Sequence, residues 1–279
     1  MTITQENFQF ISDLVRRKSA ISLAPGKEYL VESRLMHLAR EHGVSVDEYV
    51  AKKRTSLNLM ETELIVEALT TNETSWFRDT QPFSALTQHI LPELRKSRKP
   101  LGTLKVWSAA CSTGQEPYSI AMTLKDYFDS PSFTDPRPSL DIVATDLSQQ
   151  VLNRSKSGRY SQLEVNRGLP ATHLVRHFHR EGTEWEISSE LRSMVRFQRH
   201  NLLDVPPSGG PFDVVFIRNV LIYFDVATKL EVLKKVRSVL RPGGFLILGA
   251  AETTVGIDQS WVRVPVGRSS VYQKAESAS

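Results

Sequence analysis

The sequence predicts an α/β fold: a mostly parallel sheet with helices on both faces and an antiparallel edge, interrupted by a small antiparallel β insertion and preceded by an all-helical N-terminal domain. Three observations carry this. The first seventy residues keep apolar side chains at helical spacing and nowhere alternate as a strand does. From Leu104 onward, short apolar runs alternate with helical stretches, the pattern of a parallel sheet built from crossover units. Gly182 and Trp185-Glu186-Ile187 then break that rhythm within residues 160–194, where a hairpin fits and a crossover helix does not.

Taken in order, Phe8, Ile11, Leu14 and Val15 define a first helical face. Leu30, Val31, Leu35 and Leu38 define a second, which ends before Gly43, a natural helix stop. Ser45-Val46-Asp47-Glu48 has the reciprocal capping pattern that opens a third helix, and a fourth is expected over about 61–70. A further helix over about 81–95 runs into the basic stretch Lys96-Ser97-Arg98-Lys99-Pro100. Strands are expected at 104–109, 140–145, 195–200, 213–217 and 245–249. Asp225 caps a helix whose Leu230, Leu233, Val236 and Leu240 face the sheet, and Arg241-Pro242-Gly243-Gly244 stops it. Two last strands, 261–264 and 270–274, close a hairpin through Gly267. The implied organisation is a helical domain over 1–75, a connecting segment with a helix over 76–103, and a sheet domain over 104–279.

Composition excludes several classes. With 40% hydrophobic and 24% charged residues in 279, the chain is neither disordered nor fibrous. One cysteine, Cys111, allows no internal disulfide, and the first residues lack the basic and apolar regions of a signal peptide, so a cytoplasmic location is expected. The longest apolar runs fall far short of the roughly 18–20 residues that cross a bilayer, so no membrane insertion is expected. A net charge of +4 is too mild for a nucleic-acid binder. Residues 151–200 hold nine Lys/Arg against five Asp/Glu, together with His173, His177, His179 and His200, which suits either an acidic partner or a merely solvated face.

Ligands of doubly wound sheets gather at the carboxyl ends of the strands. Those ends are polar here: Ser108 to Ser119 after the first strand, Asp146 after the second, Asn201-Leu202 after the third, Arg218-Asn219 after the fourth and Glu252 after the fifth. An acidic residue ending the second strand suits the two hydroxyls of a ribose, because a carboxylate accepts both hydrogen bonds; Asp146-Leu147-Ser148 also reads simply as a helix cap. Gly114 is the only glycine of the first loop, so the loop is no pyrophosphate cradle. A nucleoside cofactor without a phosphate chain is favoured, and S-adenosylmethionine is the common one. Cys111 reads as a small filler, since no neighbouring cation lowers its pKa. His177 and His179 would share a face of a strand but lack a third ligand, so no metal is expected.

The motifs Thr70-Thr71-Asn72-Glu73-Thr74-Ser75-Trp76-Phe77-Arg78-Asp79, Val106 to Ala121, Ala144-Thr145-Asp146-Leu147-Ser148, Asn201-Leu202-Leu203 and Phe212 to Asp225 stand in the order found in the CheR family. The chain resembles these chemotaxis receptor methyltransferases from about residue 5 to residue 273. The resemblance implies a Rossmann-like S-adenosylmethionine-dependent sheet domain and an N-terminal receptor-recognition domain. It implies transfer of a methyl group to receptor glutamates, with S-adenosylhomocysteine as by-product. Carried over by position, Asn72, Thr74 and Arg78 contact the methionine end of the cofactor. Glu116 also contacts it, Asp146 the ribose, Asn201 and Leu202 the adenine, and Arg218 and Asn219 the remaining wall. Arg78 and Tyr223 are the catalytic candidates. Gln115 departs from the family's usual glutamate.

The partner so implied is the cytoplasmic helical bundle of a chemoreceptor, met by a monomer through Arg34, Arg40, Lys52, Lys53 and Arg54. The short turn at Arg180-Glu181-Gly182-Thr183-Glu184 implies independence from a receptor pentapeptide tether. Two other functions fit the same cofactor: methylation of another protein or of a nucleic-acid base, and non-catalytic sensing of S-adenosylmethionine.

Overall fold

The computed structural model describes residues 2–267 and 269–274, and the chain forms two compact units. One runs through Thr71 and includes Tyr223–Thr228; the other comprises Asn72–Ile222 and the chain from Lys229 onward.

The first unit is helical: α1 (Gln5–Ser19), α2 (Glu28–Glu41), α3 (Val46–Thr55) and α4 (Leu59–Leu69). The Ser45 hydroxyl accepts the Glu48 N–H at 3.2 Å while the Glu48 carboxylate accepts the Ser45 N–H at 2.9 Å, the reciprocal cap read from sequence. An equivalent cap between Asn58 and Glu61 starts α4 two residues before the expected position. The buried faces supply one core of Phe8, Ile11, Val15, Val31, Leu35, Val50 and Ile65. Each such side chain contributes roughly 1.5–3 kcal/mol by leaving water, so Leu35→Ala is expected to cost about 2–5 kcal/mol. Leu30, expected on this face, is only half-buried.

In the second unit the expected helix over 81–95 is three consecutive pieces: α5 (Gln81–Ala85), a π turn (Leu86–Ile90) and α6 (Leu91–Ser97). Pro92 has no N–H to offer the ladder, and just before it the Leu91 N–H reaches five residues back to the Leu86 carbonyl. Then follow β1 (Thr103–Ala109), α7 (Gln115–Asp129), β2 (Ser139–Asp146), α8 (Gln149–Ser157), β3 (Arg159–Ser161), α9 (Gln162–Val165), α10 (Ala171–His177), β4 (Phe178–Glu181), β5 (Glu184–Ile187) and α11 (Ser189–Ser193). The chain closes with β6 (Val195–Arg199), β7 (Phe212–Ile217), α12 (Val226–Val239), β8 (Leu240–Leu248), β9 (Trp261–Val266) and β10 (Ser269–Lys274).

Seven strands form the main sheet in the order β6-β2-β1-β7-β8-β10-β9, parallel except for β10, which is antiparallel to both neighbours. Strand order reverses between β1 and β7, the place where such sheets open a ligand crevice. The insertion is a three-stranded antiparallel sheet, β3-β5-β4, with Gly182 (φ 61°) turning its hairpin.

One boundary differs from the sequence reading. Asp225 does cap α12, accepting the Thr228 N–H at 2.9 Å, and Val232, Leu233 and Val236 are buried. Arg241-Pro242-Gly243-Gly244 is not a loop, however, because β8 begins directly at Leu240, which pairs with Phe212. The strand passes through a register break before Phe245 rejoins Val214, and Gly243 (φ 72°) supplies the conformation this irregularity needs.

Candidate active site

Backbone strain marks the region first. Among the described residues seven non-glycine positions have positive φ, and six fall in three segments: Phe77, Asp79 and Thr80; Ala110 and Ser112; and Asn219. Each such residue costs of order 1 kcal/mol or more and persists only where the surroundings over-determine it. The last two segments follow β1 and β7, the strands flanking the point where strand order reverses.

The loop after β1 is held from several sides. Ser112 donates its N–H to Asp146 Oδ2 at 2.8 Å and its hydroxyl to the Asn72 carbonyl at 2.7 Å. Ser155 on α8 donates to the Ser112 carbonyl at 2.9 Å, and the buried Tyr160 hydroxyl donates to the Thr113 carbonyl at 2.9 Å. Gly114 (φ 95°) then opens α7, and a Cβ there would meet Ser155 Cβ and the Tyr160 hydroxyl at 3.0 Å. Asp146 is 8% exposed, and its other oxygen accepts the Ser148 N–H at 3.0 Å. Ser148 caps α8, its hydroxyl accepting the Val151 N–H at 3.2 Å, while both Asp146 oxygens accept backbone N–H groups from the loops on either side.

Arg218, at the end of β7, is fully buried and ties three elements together. Its Nη1 lies 2.9 Å from Glu116 Oε2 on α7; its Nη2 lies 2.8 Å from both Asp79 Oδ2 and the Arg78 carbonyl. Ser108 at the end of β1 donates to the other Glu116 oxygen at 2.8 Å. Glu116 and Arg218, both expected as direct cofactor contacts, are paired with each other across the strand ends. The structure makes them a latch between β1, β7 and the segment that carries Arg78.

Asn72, Thr74 and Arg78 are all half-buried on that segment. The Arg78 guanidinium donates to the Glu73 carbonyl at 3.2 Å and has no carboxylate within ion-pair distance among the described residues. The segment is braced from behind: the Trp76 ring is buried edge-on against Tyr160 and Phe178, and the Trp76 backbone N–H donates to the Arg167 carbonyl at 3.0 Å. Asn201 makes a turn, its side-chain oxygen accepting the Leu203 N–H at 3.0 Å, with Leu202 half-buried beside it. Asn72, Arg78, Glu116, Asp146, Asn201, Leu202, Arg218 and Asn219 thus share one unit and border the strand ends. Tyr223 belongs to the helical unit, where it ends a 3-10 turn and its carbonyl accepts the Ser22 N–H at 3.1 Å.

Glu252 has a role the sequence did not show. Its Oε2 accepts the N–H groups of Asn219 at 2.8 Å and Gly249 at 2.7 Å, and its Oε1 those of Val220 at 3.0 Å and Ile222 at 3.3 Å. One carboxylate thereby fixes the left-handed turn at Asn219. The available signal was an acidic residue just past the last parallel strand. Asp79 was equally visible in its motif, yet nothing local shows that it meets Arg218, 139 positions away.

Other expectations resolve simply. Cys111 is buried, and desolvation, then the charge of Asp146, push its thiol well above the usual range, so it is inert. Gln115 is buried, accepting the Thr113 hydroxyl at 2.8 Å. The cationic stretch 151–200 is largely ion-paired: Arg154 with Glu164, Arg159 and Arg192 with Glu186, and, to carboxylates earlier in the chain, Arg176 with Asp126 and Arg196 with Asp141. In the helical unit Arg34 donates to the Thr70 carbonyl, Lys53 pairs with Glu61 and Arg54 with Glu6, while Arg40 and Lys52 are exposed. His177 ends α10 and is buried, whereas His179 is exposed on β4, so the two do not form a pair. No described helix is long and apolar enough to cross a membrane.

Comparison with known proteins adds a name to this geometry. Residues 72–268 match the family described as CheR methyltransferase, SAM binding domain, and residues 6–70 match CheR methyltransferase, all-alpha domain. Chemotaxis protein methyltransferase 1 of Pseudomonas aeruginosa is 40% identical over 98% of this chain and 99% of its own length. Chemotaxis protein methyltransferase Cher2 of Pseudomonas putida is 40% identical over 96% and 97%, and a chemotaxis protein methyltransferase of Vibrio parahaemolyticus is 36% identical over 98% of both chains.

Proposed function

The chain belongs to the CheR methyltransferase family, and from that premise we propose that it esterifies glutamate side chains on the cytoplasmic helical bundle of a chemoreceptor, acting as a cytoplasmic monomer. The observation that carries this reading is the donor set at the strand ends. A carboxylate, Asp146, stands where a ribose is recognised, and a guanidinium without an acidic partner among the described residues, Arg78, suits the carboxylate of a methionine moiety. That set fits S-adenosylmethionine, which when bound supplies an electrophilic methyl group on a sulfonium.

The residues of this chain have mainly to bind and align. A glutamate of pKa about 4.3 is already ionised at pH 7, so its oxygen attacks without a general base. Because no proton has to be removed, the contribution of this chain's residues would lie mainly in orienting the substrate carboxylate against the bound methyl donor. Asp146 would hold the ribose, Asn201 and Leu202 would line the adenine, and Asn72, Thr74 and Arg78 would hold the amino-acid end. Glu116, Arg218 and Asn219 would contact the cofactor along the remaining wall, and their own bonds keep the Arg78 segment and the β7 turn in place. Tyr223 keeps the methyl-facing role that the family resemblance implies.

The receptor as partner is supported by the helical unit, where α4 exposes Leu59, Met60 and Leu64 and where Arg40 and Lys52 remain exposed, a mixed surface suited to an acidic amphipathic helix. The two-residue connection Gly182-Thr183 between β4 and β5 supports independence from a pentapeptide tether.

The test is incubation with methyl-labelled S-adenosylmethionine and receptor cytoplasmic domains, followed by mild alkali. Label released as methanol, and lost in Arg78→Ala and Tyr223→Phe, is the expected result. Alkali-stable label would transfer the activity to a nitrogen nucleophile, and undiminished transfer in both variants would remove the site assignment.

A further inference from the structure

Away from the strand ends, Asp126 on α7 and His173 and His177 on α10 converge. One ligand-type atom from each lies within 4.8 Å of those of the other two. The histidines are four residues apart, so one helical turn stacks their rings, with centroids 5.7 Å apart and planes 20° from parallel. His173 Nδ1 lies 3.6 Å from Asp126 Oδ2, while the other carboxylate oxygen takes Arg176 at 2.6 Å, so the ion pair leaves the histidine-facing oxygen to a second role.

An independent observation points to a ligand. His177 is 3% exposed, and its Nε2 is buried with no hydrogen-bond partner. An unsatisfied buried nitrogen costs about 1–3 kcal/mol, a penalty that coordination removes. A cavity of about 410 Å³ lined by Asp126, His173, Thr123 and Tyr127 reaches two of the three ligands.

We propose that Asp126, His173 and His177 bind one divalent transition-metal ion of the zinc class, with water completing a tetrahedron. Two imidazoles and one carboxylate match that class, whereas calcium and magnesium take oxygen ligands. Bonds of about 2.0–2.1 Å place ligand atoms roughly 3.3 Å apart, so the cluster closes by rotation of the half-buried Asp126 and His173 side chains. The ion joins the main-sheet helix α7 to α10 of the insertion. Because Phe77 stacks on His173 at 4.9 Å, it also stiffens the segment that carries Arg78. The sequence reading expected no metal because it paired His177 with His179; the helix instead pairs His177 with His173.

The test uses the full chain stripped with chelator and titrated with cobalt(II), followed by displacement with zinc. Expected are a visible tetrahedral cobalt band saturating at one ion per chain, at least tenfold weaker binding in His173→Gln and Asp126→Asn, and a zinc-dependent rise in Tm confined to the wild type. Both substitutions are at solvent-accessible positions, and circular dichroism checks that they fold. No band and no zinc-dependent Tm rise in the folded wild type, or unchanged binding in both variants, overturns the site.

Discussion

Arg218 offers the sharpest test of how the candidate site is held. If its guanidinium is a latch, Arg218→Met leaves Glu116, whose side chain is 13% exposed, with only the Ser108 hydroxyl as partner. Removing one partner of a buried pair typically costs about 3–5 kcal/mol; the lower end applies because Asp79 is 41% exposed and recovers water. For a cooperative unit of this size, about 3 kcal/mol lowers Tm by roughly 6–12 °C. Arg218→Lys keeps the charge but lacks the fork, so it can serve Glu116 or the pair formed by Asp79 and the Arg78 carbonyl, not both. About half the loss is expected. Differential scanning calorimetry measures the stability change, and calorimetric titration with S-adenosylhomocysteine measures binding in the same preparations. If Arg218 served only as a cofactor contact, Arg218→Lys would keep its Tm while binding weakened sharply. That combination refutes the latch.

Three further predictions concern the surrounding groups. Asp146→Asn keeps one acceptor of two and is expected to weaken both S-adenosylmethionine and S-adenosylhomocysteine by roughly 10- to 100-fold, corresponding to about 1.5–3 kcal/mol for a charged hydrogen bond; calorimetry showing weakening of only one of them counts against ribose recognition. Glu252→Gln turns an N–H-bearing amide toward two of the four backbone donors, an expected loss of about 2 kcal/mol and roughly 4–8 °C in Tm, with a slower turnover; an unchanged melting curve contradicts the turn-fixing role. Burial holds His200 below the usual histidine range, against the opposing hydrogen bond to the Val205 carbonyl. Its folded pKa lies under the unfolded value of about 6.5, so the stability it contributes is complete above that pH and is lost as pH falls toward the folded pKa. Urea unfolding at pH 7.5 and 5.5 is expected to show a smaller drop in His200→Gln, and an equal drop excludes His200 as a source.

What could be read from sequence and what could not divide along a physical line. Helix starts such as Ser45-Val46-Asp47-Glu48, the parallel strands and the Gly182 hairpin were legible because their causes are local: a side chain capping its own backbone, a period of apolar residues, a φ only glycine takes easily. The acidic residue ending β2 was legible for the same reason, since strand order and the ligand crevice follow from connectivity. The pairing of Glu116 with Arg218 was not, because it is set by the approach of α7 to β7 across 102 residues, and a charge in a motif carries no mark of the distant charge it meets. Glu252 shows the other side of this limit. Its four backbone donors carry no side-chain identity at all, so no pattern of residue types announces them. At these strand ends the motif residues include charged groups that hold one another in place as well as groups left half-buried. Arg218 is buried among its partners, whereas Arg78 is half-buried with one carbonyl acceptor and no carboxylate within ion-pair distance among the described residues.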